Sequence, residues 1–433
     1  MSNPLISRRG LLQSATAATS SGLLPKIAAA AKQSGSTGRH CILLWMSGGP
    51  SQIDTFDLKP DHANGGEFEA ISTKTPGVEI SQHLPKLAQH SQRLAIMRGL
   101  STKEGDHQRG TVLMRTGHSP GGPVAYPSIG CSLSKELGNL PDASLPDYVS
   151  ISPGAFANVS VRPGFLGPRY AATSVASRPP ANDGGFAQLN VNYLRRPPTV
   201  SQQQHEDRLR LWTSMQSRFR DGRETPNVLA QDLAYQSALR MLSSDAGKAF
   251  ELDQESDQVR QRYGRSGFGQ GCLMARRLVE RGVRVVEVTL GDGLGWDTHT
   301  ENFDRVKTLS ETLDQGWATL MDDLSATGLI EHTTILWAGE FGRTPVINAM
   351  GGRDHFPQAF SCVLAGGGVA GGQVYGQTSA DGSEVIDGKM DQQDLLATLC
   401  AALQIKPLTE NIAEGGRPIS IAEGDVVDQL IRS

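Results

Sequence analysis

Four apolar runs that stop on glycine constrain this chain most: CILLWMSGG (41–49), VRVVEVTLGDG (283–293), TTILWAGEFG (333–342) and FSCVLAGGG (360–368). Each is far shorter than the roughly 20 residues of a membrane-spanning helix. Each is also too uniformly apolar for a strand with one wet face. Such runs are strands buried on both sides, which is the habit of a parallel sheet covered by helices. RLAIMRGL (93–100) reads as a further strand. Helical patterns lie between them. Phe303, Val306, Leu309, Leu313, Trp317, Leu320 and Leu324 recur every three or four residues, so one face of this helix packs on the sheet. ARRLVER (275–281) belongs to a helix that stops at Gly282, and DLLATLCAALQI (394–405) is a closing helix. Strand, helix, strand order with short loops predicts an α/β fold: a central, mostly parallel sheet with helices on both faces.

The remaining segments differ in kind. Residues 1–31 carry paired arginines, Arg8 and Arg9, then a weakly apolar stretch that ends in Ala28–Ala31. This pattern reads as a twin-arginine (Tat) export signal, so the mature protein is expected from about residue 31, in the periplasm or outside the cell. The Tat machinery exports folded cargo, often with a cofactor in place. No segment has the length and apolarity of a membrane span. One domain is expected over 40–433, with two departures from the strand–helix rhythm. Residues 120–200 are rich in Gly, Pro, Ser and Asn, with short apolar pieces such as DYVSI and NVSV, and read as a loop-rich excursion. Residues 201–263 carry apolar residues at helical spacing among many charges and read as a helical insertion.

Some chemistries are excluded at this stage. The net charge is −4 and no basic stripe stands out, so nucleic acid is not an expected partner. GFGQG (267–271) has the glycines of a dinucleotide loop, but a charged helical stretch precedes it where that loop needs a strand. The five cysteines are scattered singly through apolar runs and read as core residues rather than a zinc–thiolate site.

Ligands bind at the carboxyl ends of the strands of such sheets. Polar residues gather at those ends here. Asp297 and His299 follow one strand in WDTHTENF; two residues apart in extended chain, they face the same side. Glu340 ends the next strand, His355 lies one loop further on in GGRDHFP, Asp54 and Asp57 follow the first strand, and His107 follows the second. Carboxylates with imidazoles suit zinc, manganese or iron, whereas a mostly oxygen set suits magnesium or calcium. The candidate metal set is Asp297, His299, Glu340, His355 and Asp54, holding one or two divalent ions. His107 is a covalent nucleophile, a general acid or a ligand; Arg343 either grips a tetrahedral oxyanion or pairs with Glu340. Asp292, between glycines, reads as a turn residue, and His118 as a turn or cap residue.

CILLWMSGGPSQIDTFDLKP, ARRLVERGVRVVEVTL, WDTHTENF, GEFGRTP, GGRDHFP and GGQVYG together resemble the bacterial family known as domain of unknown function 1501, from about residue 40 to the C-terminus. That family is similar in layout to the alkaline phosphatase superfamily, which includes sulfatases and cofactor-independent phosphoglycerate mutase. The resemblance implies an α/β sandwich with a two-metal site at strand ends. In mutase-like members an Asp and a His precede a long helix, a strand then ends in Asp-His-Gly, and a last His follows. His299 and His355 match the first and last histidines, Glu340 stands for the later aspartate, and Asp297 takes the place of the earlier one at a shorter spacing. Phe341 replaces a ligand histidine, which weakens one metal position. His107 falls where the nucleophile would be, and the sulfatase signature is absent. The resemblance implies an exported metal-dependent hydrolase of phosphate or sulfate esters, with a polysaccharide as a candidate substrate. Against it stands a non-catalytic binding or scaffold protein that keeps the fold and one structural metal.

Overall fold

A computed structural model describes residues 38–432, apart from 139–143, 153, 155, 157–161, 181, 183, 193, 195–197, 224 and 244. The twin-arginine segment and the NVSV piece lie outside the described residues. In chain order the elements used below are strand β1 (His40–Met46), strand β2 (Leu94–Leu100), helix α1 (His107–Thr116), helix α2 (Ile129–Leu137) and strands β3 (Tyr148–Ile151), β4 (Thr173–Arg178) and β5 (Gln188–Val191). Helices α3 (Gln202–Arg220), α4 (Pro226–Ser243), α5 (Asp257–Tyr263) and α6 (Gly267–Glu280) follow. Strand β6 (Val285–Leu290), helix α7 (Asn302–Thr327), strands β7 (Thr333–Gly339), β8 (Phe360–Gly366) and β9 (Gln373–Tyr375), and helix α8 (Gln392–Ala402) complete the set.

Nine strands form one sheet in the order β9-β2-β8-β7-β1-β6-β3-β4-β5. β1 runs parallel to both β6 and β7, with Leu43 beside Glu287 on one side and Leu336 on the other. β8 is antiparallel to both β7 and β2, and β5 is antiparallel to β4. The sheet is therefore mostly parallel, as the buried runs predict.

Alternation along β1 divides the interior. Ile42, Leu44 and Met46 enter a core shared with α6 and α7; Cys41, Leu43 and Trp45 enter a second core shared with α2 and α8. A period of two in the side chains produces this two-layer burial. α7 buries Val306, Leu313, Trp317, Leu320 and Leu324, worth roughly 2 kcal/mol each against exposure. The glycines of GFGQG serve packing. A Cβ on Gly269 would lie 2.0 Å from the Tyr263 carbonyl, and one on Gly271 would lie 2.7 Å from Val288. All five cysteines are buried, as their apolar surroundings in the sequence predict. Among the described residues no helix is long and apolar enough to cross a membrane.

Two consequences place the site. β1, β2, β6 and β7 all point the same way, so the loops after them open on one edge of the sheet. β8 runs the opposite way, so the loop that leads into it, which carries His355, returns to that same edge.

Candidate metal centre

Four loops deliver the side chains. α1 begins on His107 because Asp106 caps it, accepting the Arg109 N–H at 2.9 Å. The loop after β6 carries Asp297 and His299 and lies against the turn after β1. Gly48 makes that approach possible: its φ is +111°, and a Cβ there would sit 2.5 Å from the Asp297 nitrogen. Glu340 ends β7. Gly342–Arg343 and His355–Phe356 form a small antiparallel pair with Arg343 opposite His355.

Asp297 Oδ1 is the centre of the cluster. Arg343 Nη1 lies 2.7 Å from it, His299 Nε2 3.1 Å, His107 Nε2 3.3 Å and His355 Nε2 3.3 Å. His299 Nε2 and His355 Nε2 are 3.0 Å apart. Ligand atoms of His107, Asp297 and His355 all lie within 4.8 Å of one another. His299 flanks this trio on the solvent side, with a side chain 44 % exposed against 10 % for His107.

The far nitrogen of each imidazole is occupied. His107 Nδ1 meets Glu340 Oε1 at 2.7 Å, His299 Nδ1 meets Asp354 Oδ1 at 2.6 Å and His355 Nδ1 meets the Gly105 carbonyl at 2.7 Å. Carbonyl and carboxylate oxygens only accept, so each Nδ1 carries the hydrogen. Three Nε2 atoms then face one carboxylate oxygen. Where they hold lone pairs, only protons or a cation among them relieves the repulsion.

The electrostatics follow from this crowding. Burial pushes the His107 imidazole down, but the bonds to and charges of Asp297 and Glu340 outweigh it and raise His107 to about 9. Burial acts to raise the Asp297 carboxyl; His107, His355 and Arg343 prevail and hold it well below the usual carboxylate range. The hydrogen bond from His299 lowers Asp354.

The structure brings together Asp297, His299, His355, His107, Glu340 and Arg343, and changes what several of them face. Asp54 leaves the ligand set. It is fully buried, with Arg353 Nε and Nη2 at 2.8 and 3.0 Å and the Asn302 amide at 2.8 Å, so its oxygens are spent on the loop scaffold. Glu340 turns to His107: its Oε1 also accepts the Gly48 N–H at 2.8 Å, and its buried Oε2 has no hydrogen-bond partner among the described residues. Arg343 is fully buried, and its ion-pair partner is Asp297. Its other N–H groups go to the carbonyls of Gly48, Gly49 and Arg353, so it pins the ligand loops and presents no fork to solvent. Asp57 pairs with Lys59 and Arg98, and Asp292 is exposed. His118 stacks on Tyr126 and takes part in a Thr116 turn.

Two participants carried no clear sequence signal. Asp354, which orients His299, directly precedes His355, and that adjacency was its one clue. The Gly105 carbonyl has none, because a backbone acceptor leaves no mark on residue type. Phe341 forms an apolar wall, its ring centroid 5.0 Å from that of His107 and 4.8 Å from that of His355.

Comparison with known proteins gives one family and distant structural likenesses. The model of a family described as "Protein of unknown function (DUF1501)" matches residues 38–431. No curated protein sequence matches the chain. The PsFucS1 sulfatase from Pseudoalteromonas sp. is 12 % identical, with 89 % of this chain and 72 % of that chain covered and a TM-score of 0.39. The lipoteichoic acid synthase LtaP from Listeria monocytogenes is 9 % identical, with 89 % and 75 % covered and a TM-score of 0.40.

Proposed function

The chain belongs to the DUF1501 family, and from the cluster at its strand ends we propose that it is a metal-dependent hydrolase of phosphate or sulfate esters. One observation carries the reading: three imidazoles, each with its Nδ1–H already spent, turn Nε2 toward a single carboxylate oxygen. Metal-binding histidines are oriented in this way, by a carboxylate or carbonyl on the far nitrogen.

His107, Asp297 and His355 would hold the ion, with His299 beside them. Imidazole nitrogen in the donor set favours zinc or manganese over magnesium or calcium, which prefer oxygen. Phe341 offers no ligand atom where the His107 and His355 rings meet it, which supports one ion rather than two. When bound, the ion supplies Lewis-acid polarisation of a phosphoryl or sulfuryl oxygen.

The chain's own groups have separate tasks. Glu340 fixes the His107 tautomer and makes that imidazole more basic. Arg343 holds the Asp297 carboxylate in place from behind. His299 is the most exposed of the three imidazoles, and Asp354 steadies it, so it is the group placed to give a proton to the leaving oxygen. His299 and His355 are partly exposed, which suits an ester on a bulky molecule such as a polysaccharide. Export through the Tat pathway to the periplasm belongs to the same reading and is supported by Arg8, Arg9 and the Ala-rich stretch that follows.

Elemental analysis of the natively purified protein, with aryl phosphate and aryl sulfate assays, tests the proposal. One ion per chain is expected, with turnover lost in His299→Ala while the fold persists. Failure to bind zinc, manganese or cobalt refutes the metal centre. Bound metal with no turnover of either ester favours a structural ion and a binding protein.

A further inference from the structure

An anion sits in the middle of the sheet. Glu287 lies on β6, fully buried, on the face that carries Val285 into the second core. Its carboxylate accepts from Tyr148 at 3.0 Å, from Ser150 at 3.1 Å and from the guanidinium of Arg115. Arg115 is itself 3 % exposed, and its guanidinium stands 4.0 Å from the centroid of the Trp45 ring on β1.

A buried ion pair is a poor way to gain stability. Desolvation of both charges offsets their attraction, and apolar residues of similar volume often serve as well or better. A guanidinium lodged between a carboxylate and an indole does one thing that a leucine cannot: it has a single seat. Apolar ridges tolerate sliding of a helix along its axis, and this arrangement does not.

The seat matters because of what lies at the other end of the helix. Arg115 is on the last turn of α1, and His107 is its first residue. Eight residues of α-helix are a rigid strut of about 12 Å. β6, which carries Glu287, leads into the loop that carries Asp297. The pair therefore ties together the two elements that bring His107 Nε2 to Asp297 Oδ1. We propose that Arg115 and Glu287 are positioning residues that set the axial placement of α1 and so hold His107 in the cluster. The proposal rests on the reading of that cluster as a metal centre.

The test uses the full-length protein and the double variant Arg115→Met/Glu287→Met, with Arg115→Lys, which keeps both charges but loses the planar guanidinium over Trp45, as a milder change should the double variant not fold. Three quantities are read: urea stability, affinity and visible absorption with Co²⁺, and the His107 side-chain ¹⁵N resonances of metal-free protein. The expected result is a lower urea midpoint, because Tyr148 and Ser150 lose their acceptor, together with Co²⁺ affinity lower by about tenfold or more, an altered Co²⁺ spectrum and shifted His107 resonances. A merely structural pair would lower stability and leave the spectrum alone. Wild-type affinity, spectrum and His107 resonances in the variant overturn the proposal. If the wild-type protein binds no Co²⁺, the metal reading fails separately, and the His107 resonances alone decide the positioning role: moved supports it, unmoved overturns it.

Discussion

Replacing Glu340 by glutamine separates two effects of one carboxylate. In the metal-free protein His107 sits at about 9, so at neutral pH an ion must displace a proton to reach Nε2. The apparent affinity should then fall toward tenfold per pH unit below 9, or about fiftyfold between pH 9 and pH 7. Glu340→Gln keeps an oxygen able to accept from His107 Nδ1 and the Gly48 N–H, which now lie 2.7 and 2.8 Å from Oε1. It removes the charge. The imidazole becomes a weaker ligand, by about 10- to 100-fold in affinity. Its proton also leaves more easily, because one of the two carboxylates that raised it is gone. At pH 7 the two changes nearly cancel; at pH 9 only the weakening remains. The expected result is affinity close to wild type at pH 7, a loss of about 10- to 100-fold at pH 9, and a flatter slope between. Calorimetric titration in buffers of different ionisation enthalpy measures both affinity and protons released. The amide nitrogen would fall where Oε2 is buried without a hydrogen-bond partner, costing about 1–3 kcal/mol of stability, so urea midpoints are taken alongside. A wild-type affinity that does not change between pH 7 and 9 would refute the reasoning, as would an equal loss in the variant at both pH values.

Asp297→Asn and His355→Ala should each lower bound metal to well below one ion per chain with the circular dichroism unchanged, and full metal retention in both would remove the centre. Asp54→Asn leaves Arg353 buried without its anion; it should cost about 3–5 kcal/mol in urea unfolding while metal stoichiometry stays the same, and lost metal would return Asp54 to the ligand set. The metal-free protein should also show a pH signature. His107 is raised in the folded state from an ordinary 6.5 to about 9, so its contribution is complete below pH 6.5 and is lost as pH rises through 9. Asp297, lowered on folding from an ordinary 3.8, contributes in the opposite sense: fully above that value, and less as pH falls below it. Thermal midpoints in chelator should therefore decline from pH 6.5 to 9, and a flat profile across that range contradicts the His107 assignment.

The architecture was legible in the sequence because its signals are local. A run such as ILLWM or VVEV declares its own burial, glycine marks where it stops, and a period of three to four turns one face of Asn302–Thr327 to the sheet. Parallel strands then send their ends to one edge, which is why Asp297, His299, Glu340 and His355 could be gathered before any coordinates. How those side chains divide the work was decided by tertiary structure alone. Glu340 and His107, 233 positions apart, meet through a hydrogen bond; Asp54 is taken by Arg353 from 299 positions away; Arg343 turns inward to Asp297. Residue type and spacing state which atoms are able to bind a cation, but the rotamer and the nearest competing partner determine which atoms are left facing it. Those depend on loops packed from four separate parts of the chain.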